Sequence, residues 1–100
     1  MGLTWIQKFQ AIRSLSPSGI SIAMRDRGDW YIQHRSIERK EGGCLSSGLT
    51  SGSSPEEATN QFWEWAIDPK YYMVVNAGSD RRHAVRWNGF MWEDVVEESS

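Results

Sequence analysis

The chain has 100 residues, one domain's worth, with a formal charge of −2 at pH 7 and a mean hydropathy of −0.57, values ordinary for a folded cytosolic protein. That balance excludes a charge-dense mimic of nucleic acid and a molecule that binds polyanions over its whole surface, and no run approaches the roughly 20 apolar residues of a membrane span. Cys44 is the sole cysteine, which excludes an internal disulfide and a cysteine zinc site and favours a reducing compartment, with the cytoplasm expected.

Taken in order, Trp5, Ile6, Phe9 and Ile12 recur at helical spacing, opposite Lys8 and Arg13, and predict an amphipathic helix that stops at Ser14 to Gly19. Gln7, Lys8, Gln10 and Arg13 also interrupt Met1 to Leu15, which therefore has no continuous apolar signal-peptide stretch. From Ile20 the period becomes two: Ile20, Ile22 and Met24 share one face of a strand, Asp26-Arg27-Gly28-Asp29 reads as a turn, and Trp30 to Ile37 is the partner strand. Charge and glycine close that strand at Glu38 to Gly43. The Ser/Gly stretch from Gly43 to Ser54 is a weak edge strand or a flexible loop, with a short third strand expected at 44–47.

Ser54-Pro55-Glu56-Glu57 is the clearest local signal, with Ser54 as N-cap, Pro55 in the first helical position and Glu57 placed to complete a capping box. Ala58, Phe62, Trp65 and Ala66 share the core face of this second helix, Trp63 and Ile67 flank it, and Asp68-Pro69 ends it. Strands follow at Tyr71 to Ala77, Arg82 to Trp87 and Phe90 to Val96, with a turn at Gly78-Ser79-Asp80. Asn88-Gly89 suggests a two-residue hairpin that pairs Trp87 with Phe90, Val85 with Trp92, Arg86 with Met91, His83 with Asp94 and Arg82 with Val95. The expected fold is α+β: order α-β-β-β-α-β-β-β, a twisted antiparallel sheet with two helices on one face, a single domain over 1–96 and an acidic tail at 97–100. Six tryptophans supply a core poor in aliphatic residues, because each ring buries a large area.

Catalysis needs a nucleophile, a base and an orienting group, and the candidates are only His34, His83 and Cys44 with scattered Ser and Asp, so no catalytic residue, metal ligand or cofactor site is assigned. Arg27-Gly28-Asp29 spells an adhesion tripeptide, yet turn geometry accounts for its Gly and Asp. Basic residues form two groups. Residues 1–50 carry seven basic and four acidic side chains and residues 51–100 four and nine, with Arg25, Arg27, Arg35, Arg39 and Lys40 in the first half and Arg81, Arg82 and Arg86 in the second. Arginines interleaved with Tyr31, Tyr71 and Tyr72 suit phosphate pairing and base stacking, which makes nucleic acid the alternative partner. The first half resembles the double-stranded RNA-binding domain in element order. That family's basic motif opens its second helix, whereas Ser54-Pro55-Glu56-Glu57 is acidic and would repel phosphate.

Trp63, off the centre of its helix stripe, together with Arg86 and Met91 on the outer sheet face, supplies the side-chain types enriched at protein interfaces. The Gly/Ser stretch running into Ser54-Pro55-Glu56-Glu57-Ala58 with Phe62-Trp63, and the closing Val85-Arg86-Trp87-Asn88-Gly89-Phe90-Met91-Trp92, resemble small accessory proteins encoded by bacteriophages, anti-CRISPR inhibitors among them. The resemblance covers 43–96 and implies a stoichiometric inhibitor that binds and blocks a host complex. The expectation is therefore a noncatalytic domain with a host or phage protein complex as partner, no membrane and no cofactor. Its contact residues would be Trp63, Arg86, Met91, Arg82, Arg81, Arg35, Arg27 and Tyr31.

Overall fold

Two helices and seven strands form the architecture of the computed structural model, which describes residues 2–35, 37–40, 51–76 and 80–96, with backbone alone at 39 and 40. The expected strand at 44–47, Cys44, the acidic tail at 97–100 and the turn residues Gly78 and Ser79 lie outside the described residues. The class is α+β with antiparallel strands, in the expected order of elements apart from one additional two-residue strand before the second helix.

Helix α1, Trp5–Arg13, begins with a reciprocal cap: the Gln7 amide donates to the Thr4 hydroxyl at 3.2 Å, and the Thr4 amide donates to the Gln7 side chain at 2.9 Å. Ile12 is fully buried and Phe9 and Ala11 pack beside it, whereas Ile6 remains exposed. Helix α2, Pro55–Ala66, starts at Ser54, whose hydroxyl accepts the Glu57 amide at 3.1 Å. The expected capping box is only half made, because the Glu57 carboxylate accepts the Ser53 hydroxyl at 2.7 Å. Lys8 Nζ donates to Asn60 Oδ1 at 3.1 Å and ties the two helices together.

The strands divide into two sheets where a single one was expected. The first has the order β1 (Ile20–Met24), β2 (Trp30–His34), β4 (Ser51–Gly52); the second has β3 (Ile37–Lys40), β5 (Tyr72–Val75), β6 (His83–Trp87), β7 (Trp92–Val95). The expected strand from Trp30 to Ile37 ends at His34. The Arg35 amide still follows the β1–β2 register, donating to the Gly19 carbonyl at 3.0 Å, but Ile37 pairs with Val75 in the other sheet. Glu38 to Lys40, expected to close a strand, instead form this new one. Inward residues are even-numbered through Ile32 and His34, whereas Ile37 is the buried residue that opens the next strand, so the period-two pattern itself slips at the break.

Helix α2 lies over both sheets. Phe62 and Trp65 pack edge to face at 5.1 Å between ring centroids and meet His34 of β2, while Trp63 meets Trp87 of β6 and Trp92 of β7 at 4.9 and 6.2 Å. One hydrophobic cluster therefore joins α1, α2 and the facing sides of the two sheets. Gly52 lets β4 approach the start of α2, because a Cβ at this position would stand 2.7 Å from Glu57 Cβ and 2.9 Å from the Ala58 amide nitrogen.

Candidate interaction site

The hairpin between β6 and β7 organises the most developed surface feature. A type I′ turn over Asn88-Gly89 needs positive φ at both residues, but only Gly89 has it, at 106°. Asn88 instead uses its side chain: Oδ1 accepts the Phe90 amide at 2.8 Å and the Met91 amide at 2.9 Å, and the Asn88 amide donates to the Met91 carbonyl at 3.0 Å. Asn88 thus becomes the residue before the turn. The pairs are Trp87 with Trp92, Arg86 with Glu93, Val85 with Asp94 and Ala84 with Val95.

Every expected pair is thereby displaced by two residues. A shift of two preserves which face each side chain occupies, so Trp87, Val85 and Trp92 share the helix-facing side as expected. It also expels Phe90 and Met91 from the strand into the turn, where they are 90% and 60% exposed. Arg86 consequently faces Glu93 rather than Met91, and His83 is not opposite Asp94.

An open groove of about 510 Å³ lies between the end of α1 and this hairpin. Ala11, Ser14 and Leu15 form one wall; Trp87 and Trp92, with centroids 5.1 Å apart, face them, and Phe90 and Met91 form the lip. Trp92 is fixed by its indole N–H, which donates to the Ala11 carbonyl at 2.8 Å. His83, Val85 and Asp94 continue the same face of the hairpin at the other end. A concave apolar site with a few polar groups, rimmed by exposed side chains, is the form that binding surfaces take.

The residues expected to contact a partner do not gather in one place. Trp63 is buried, 5% exposed, beneath Trp87 and Trp92, and forms part of the core rather than the surface. Its position at the edge of the helix stripe was read as surface, but the second sheet covers that edge as well. Met91 lines the groove and does not share the outer sheet face with Arg86. Arg86 lies on the outer face, its Nε donating to the Tyr71 carbonyl at 3.3 Å and its guanidinium 5.9 Å from the Tyr72 ring centroid. Arg81 and Arg82 are exposed just before β6, and Arg35 is exposed after β2, in the region of the other sheet.

At the tip of the β1–β2 hairpin, Arg27 Nε donates to Asp29 Oδ1 at 3.0 Å, and Arg25 lies 3.8 Å from the other oxygen of the same carboxylate. The hydrogen bond from Arg27 holds the Asp29 carboxyl below its ordinary pKa. Both charges of the Arg-Gly-Asp tripeptide are thus used on each other within the turn. Tyr31 is half-buried under the Arg25 guanidinium, 4.7 Å from its ring centroid. The basic residues are therefore divided between two sheets, and those at the hairpin tip are partly neutralised.

His34 packs against Phe62 at 5.5 Å and Trp65 at 6.3 Å, and burial among these rings pushes its pKa below the ordinary value of 6.5. No group of three or more His, Cys, Asp or Glu side chains capable of holding a metal occurs among the described residues, and no helix among them is long and apolar enough to cross a membrane. Phe90, Leu15, Trp87 and Trp92 are not among the contact residues expected from sequence; for Phe90 and Trp92 the local signal is the apolar run Phe90-Met91-Trp92, too long for a turn tip, and Leu15 and Trp87 carry none. Comparison with protein-family models, curated proteins and solved structures finds no match, so the geometry of the groove carries the functional reading.

Proposed function

We propose that this chain is a noncatalytic protein-binding domain that seats an apolar side chain of a partner protein in the groove between α1 and the β6–β7 hairpin. The observation that carries the reading is the exposure of Phe90 and Met91 beside a tryptophan pair that is itself fixed by packing and by the Trp92 hydrogen bond. Exposed apolar area gains about 25 cal/mol per Å² on leaving water, so two such side chains on a firm support favour docking. Aromatic residues and methionine are enriched where protein interfaces are driest. A stoichiometric binder of this kind also agrees with the resemblance of 43–96 to phage accessory proteins, which directs the search for a partner to bacterial extracts.

The test is affinity capture from bacterial lysate with the wild-type chain and the Phe90→Asp and Met91→Asp variants, each with and without nuclease. The expected result is one partner protein that survives nuclease, binds in a fixed ratio and is lost with both variants. A partner retained by both variants overturns the groove assignment. Recovery of nucleic acid, with all protein lost after nuclease, would replace this reading with one centred on Arg81, Arg82 and Arg86.

A further inference from the structure

We infer that the partner segment carries a lysine or arginine whose charged end pairs with Asp94 while its aliphatic stem lies over Trp87 and Trp92; this inference rests on the groove reading above. Strand β7 reads Trp92-Glu93-Asp94-Val95, and its register places Trp92 and Asp94 on the groove side and Glu93 and Val95 on the outer side. Here a carboxylate stands roughly 7 Å along the strand from the tryptophan on the same face.

Asp94 is exposed, and its side chain makes no hydrogen bond or ion pair with the described residues. Keeping a hydrated carboxylate in an open groove costs little, and it remains free to receive a cation. The opposite wall adds to the same preference. It is formed by the last turn of α1 and the residues just after it, where the aligned peptide dipoles leave partial negative charge. The tryptophan faces supply the third element, since cations are attracted to indole rings and the stems of Lys and Arg pack on apolar surface while their ends stay polar.

Inward charge on an edge strand also blunts edge-to-edge aggregation, and that role makes no distinction among ligands. Chemical-shift titration separates the two roles. Full-length protein labelled with ¹⁵N is titrated with N-acetyl-Leu-Arg amide, N-acetyl-Leu-Gln amide and N-acetyl-Leu-Glu amide, and the Trp87 and Trp92 indole signals are followed. The expected result is an affinity about fivefold greater for the Arg peptide than for the Gln peptide, as a weak ion pair and a cation–ring contact supply. Asp94→Asn should abolish this preference and Asp94→Lys should transfer it to the Glu peptide. Equal binding of the Arg and Gln peptides by the wild-type chain overturns the inference and leaves the groove reading intact. Unmoved indole signals with all three peptides overturn both.

Discussion

Replacing Trp63 by alanine discriminates sharply between a core and a surface role for the residue whose position was least predictable. The side chain is 5% exposed and packs edge to face on Trp87 at 4.9 Å and on Trp92 at 6.2 Å, so truncation opens a cavity between α2 and the β6–β7 hairpin. Truncating a buried tryptophan to alanine costs about 3–5 kcal/mol, a range that already contains much of the roughly 0.5–1.5 kcal/mol attached to each aromatic pair. A domain of this size has about 5–15 kcal/mol in all, so Trp63→Ala should be only marginally folded. At about 4–8 °C per kcal/mol its Tm should drop by roughly 15–30 °C. Trp63→Phe keeps a ring in the site and should lose about half as much or less. Urea unfolding followed by far-UV circular dichroism is the appropriate assay, because fluorescence would change with the substitution itself. An interface anchor in solvent would instead change stability by about 0.5 kcal/mol or less. A loss below about 1 kcal/mol for Trp63→Ala would refute the packing argument.

Three further outcomes follow from individual contacts. Gly52→Ala should cost about 1–3 kcal/mol, because the new methyl collides with Glu57 Cβ and the Ala58 amide at the start of α2; unchanged unfolding would mean that β4 does not approach the helix so closely. Asn88→Ala removes the acceptor for the Phe90 and Met91 amides and should cost about 1 kcal/mol, seen as faster amide exchange at Arg86 and Glu93; unaltered exchange would exclude the side chain as the organiser of the turn. Burial lowers the pKa of His34 in the folded chain, so between that pKa and 6.5 the unfolded chain binds more protons. The contribution of His34 is therefore complete above pH 6.5 and is lost as pH falls through the folded pKa. Wild-type stability should decline more than that of His34→Phe between pH 7 and 5, and parallel pH curves for the two proteins would contradict this.

Local features were legible where neighbouring residues settle them. Ser54-Pro55 starts α2 because the hydroxyl and the ring each suit one helical position, and Asp68-Pro69 lies just beyond its end. The core face of Ala58, Phe62, Trp65 and Ala66 follows from helical period alone, and all four are buried. The tip at 26–29 and the split of the last segment into two strands were equally readable. Asn88-Gly89 was legible as a turn but not as to which kind, because the choice depends on whether the asparagine side chain or its backbone closes the loop.

The candidate site was less legible for the same reason at a larger scale. Met91 was singled out as a contact residue and lines the groove, but its companions there, Phe90, Leu15, Trp87 and Trp92, come from elements brought together only by packing. Trp63 illustrates the converse. A helix covered by one sheet buries a stripe, whereas α2 is covered by two, and the second covering turns a flanking tryptophan into core.

By itself, then, the amino-acid sequence determined the α+β class, the starts of its strongest elements, the shared face of Val85, Trp87 and Trp92 and the lack of a cysteine pair for an internal disulfide. These depend on period, capping and composition, which act over a few residues. Only the tertiary structure decided that the strands form two sheets, that Ile37 leaves the first for the second, that Trp63 is buried and that Phe90 and Met91 border a groove against α1. Each depends on contacts between segments distant in the chain, such as the 81-residue separation spanned by the hydrogen bond from Trp92 to Ala11, and no local pattern encodes which distant surface will cover it.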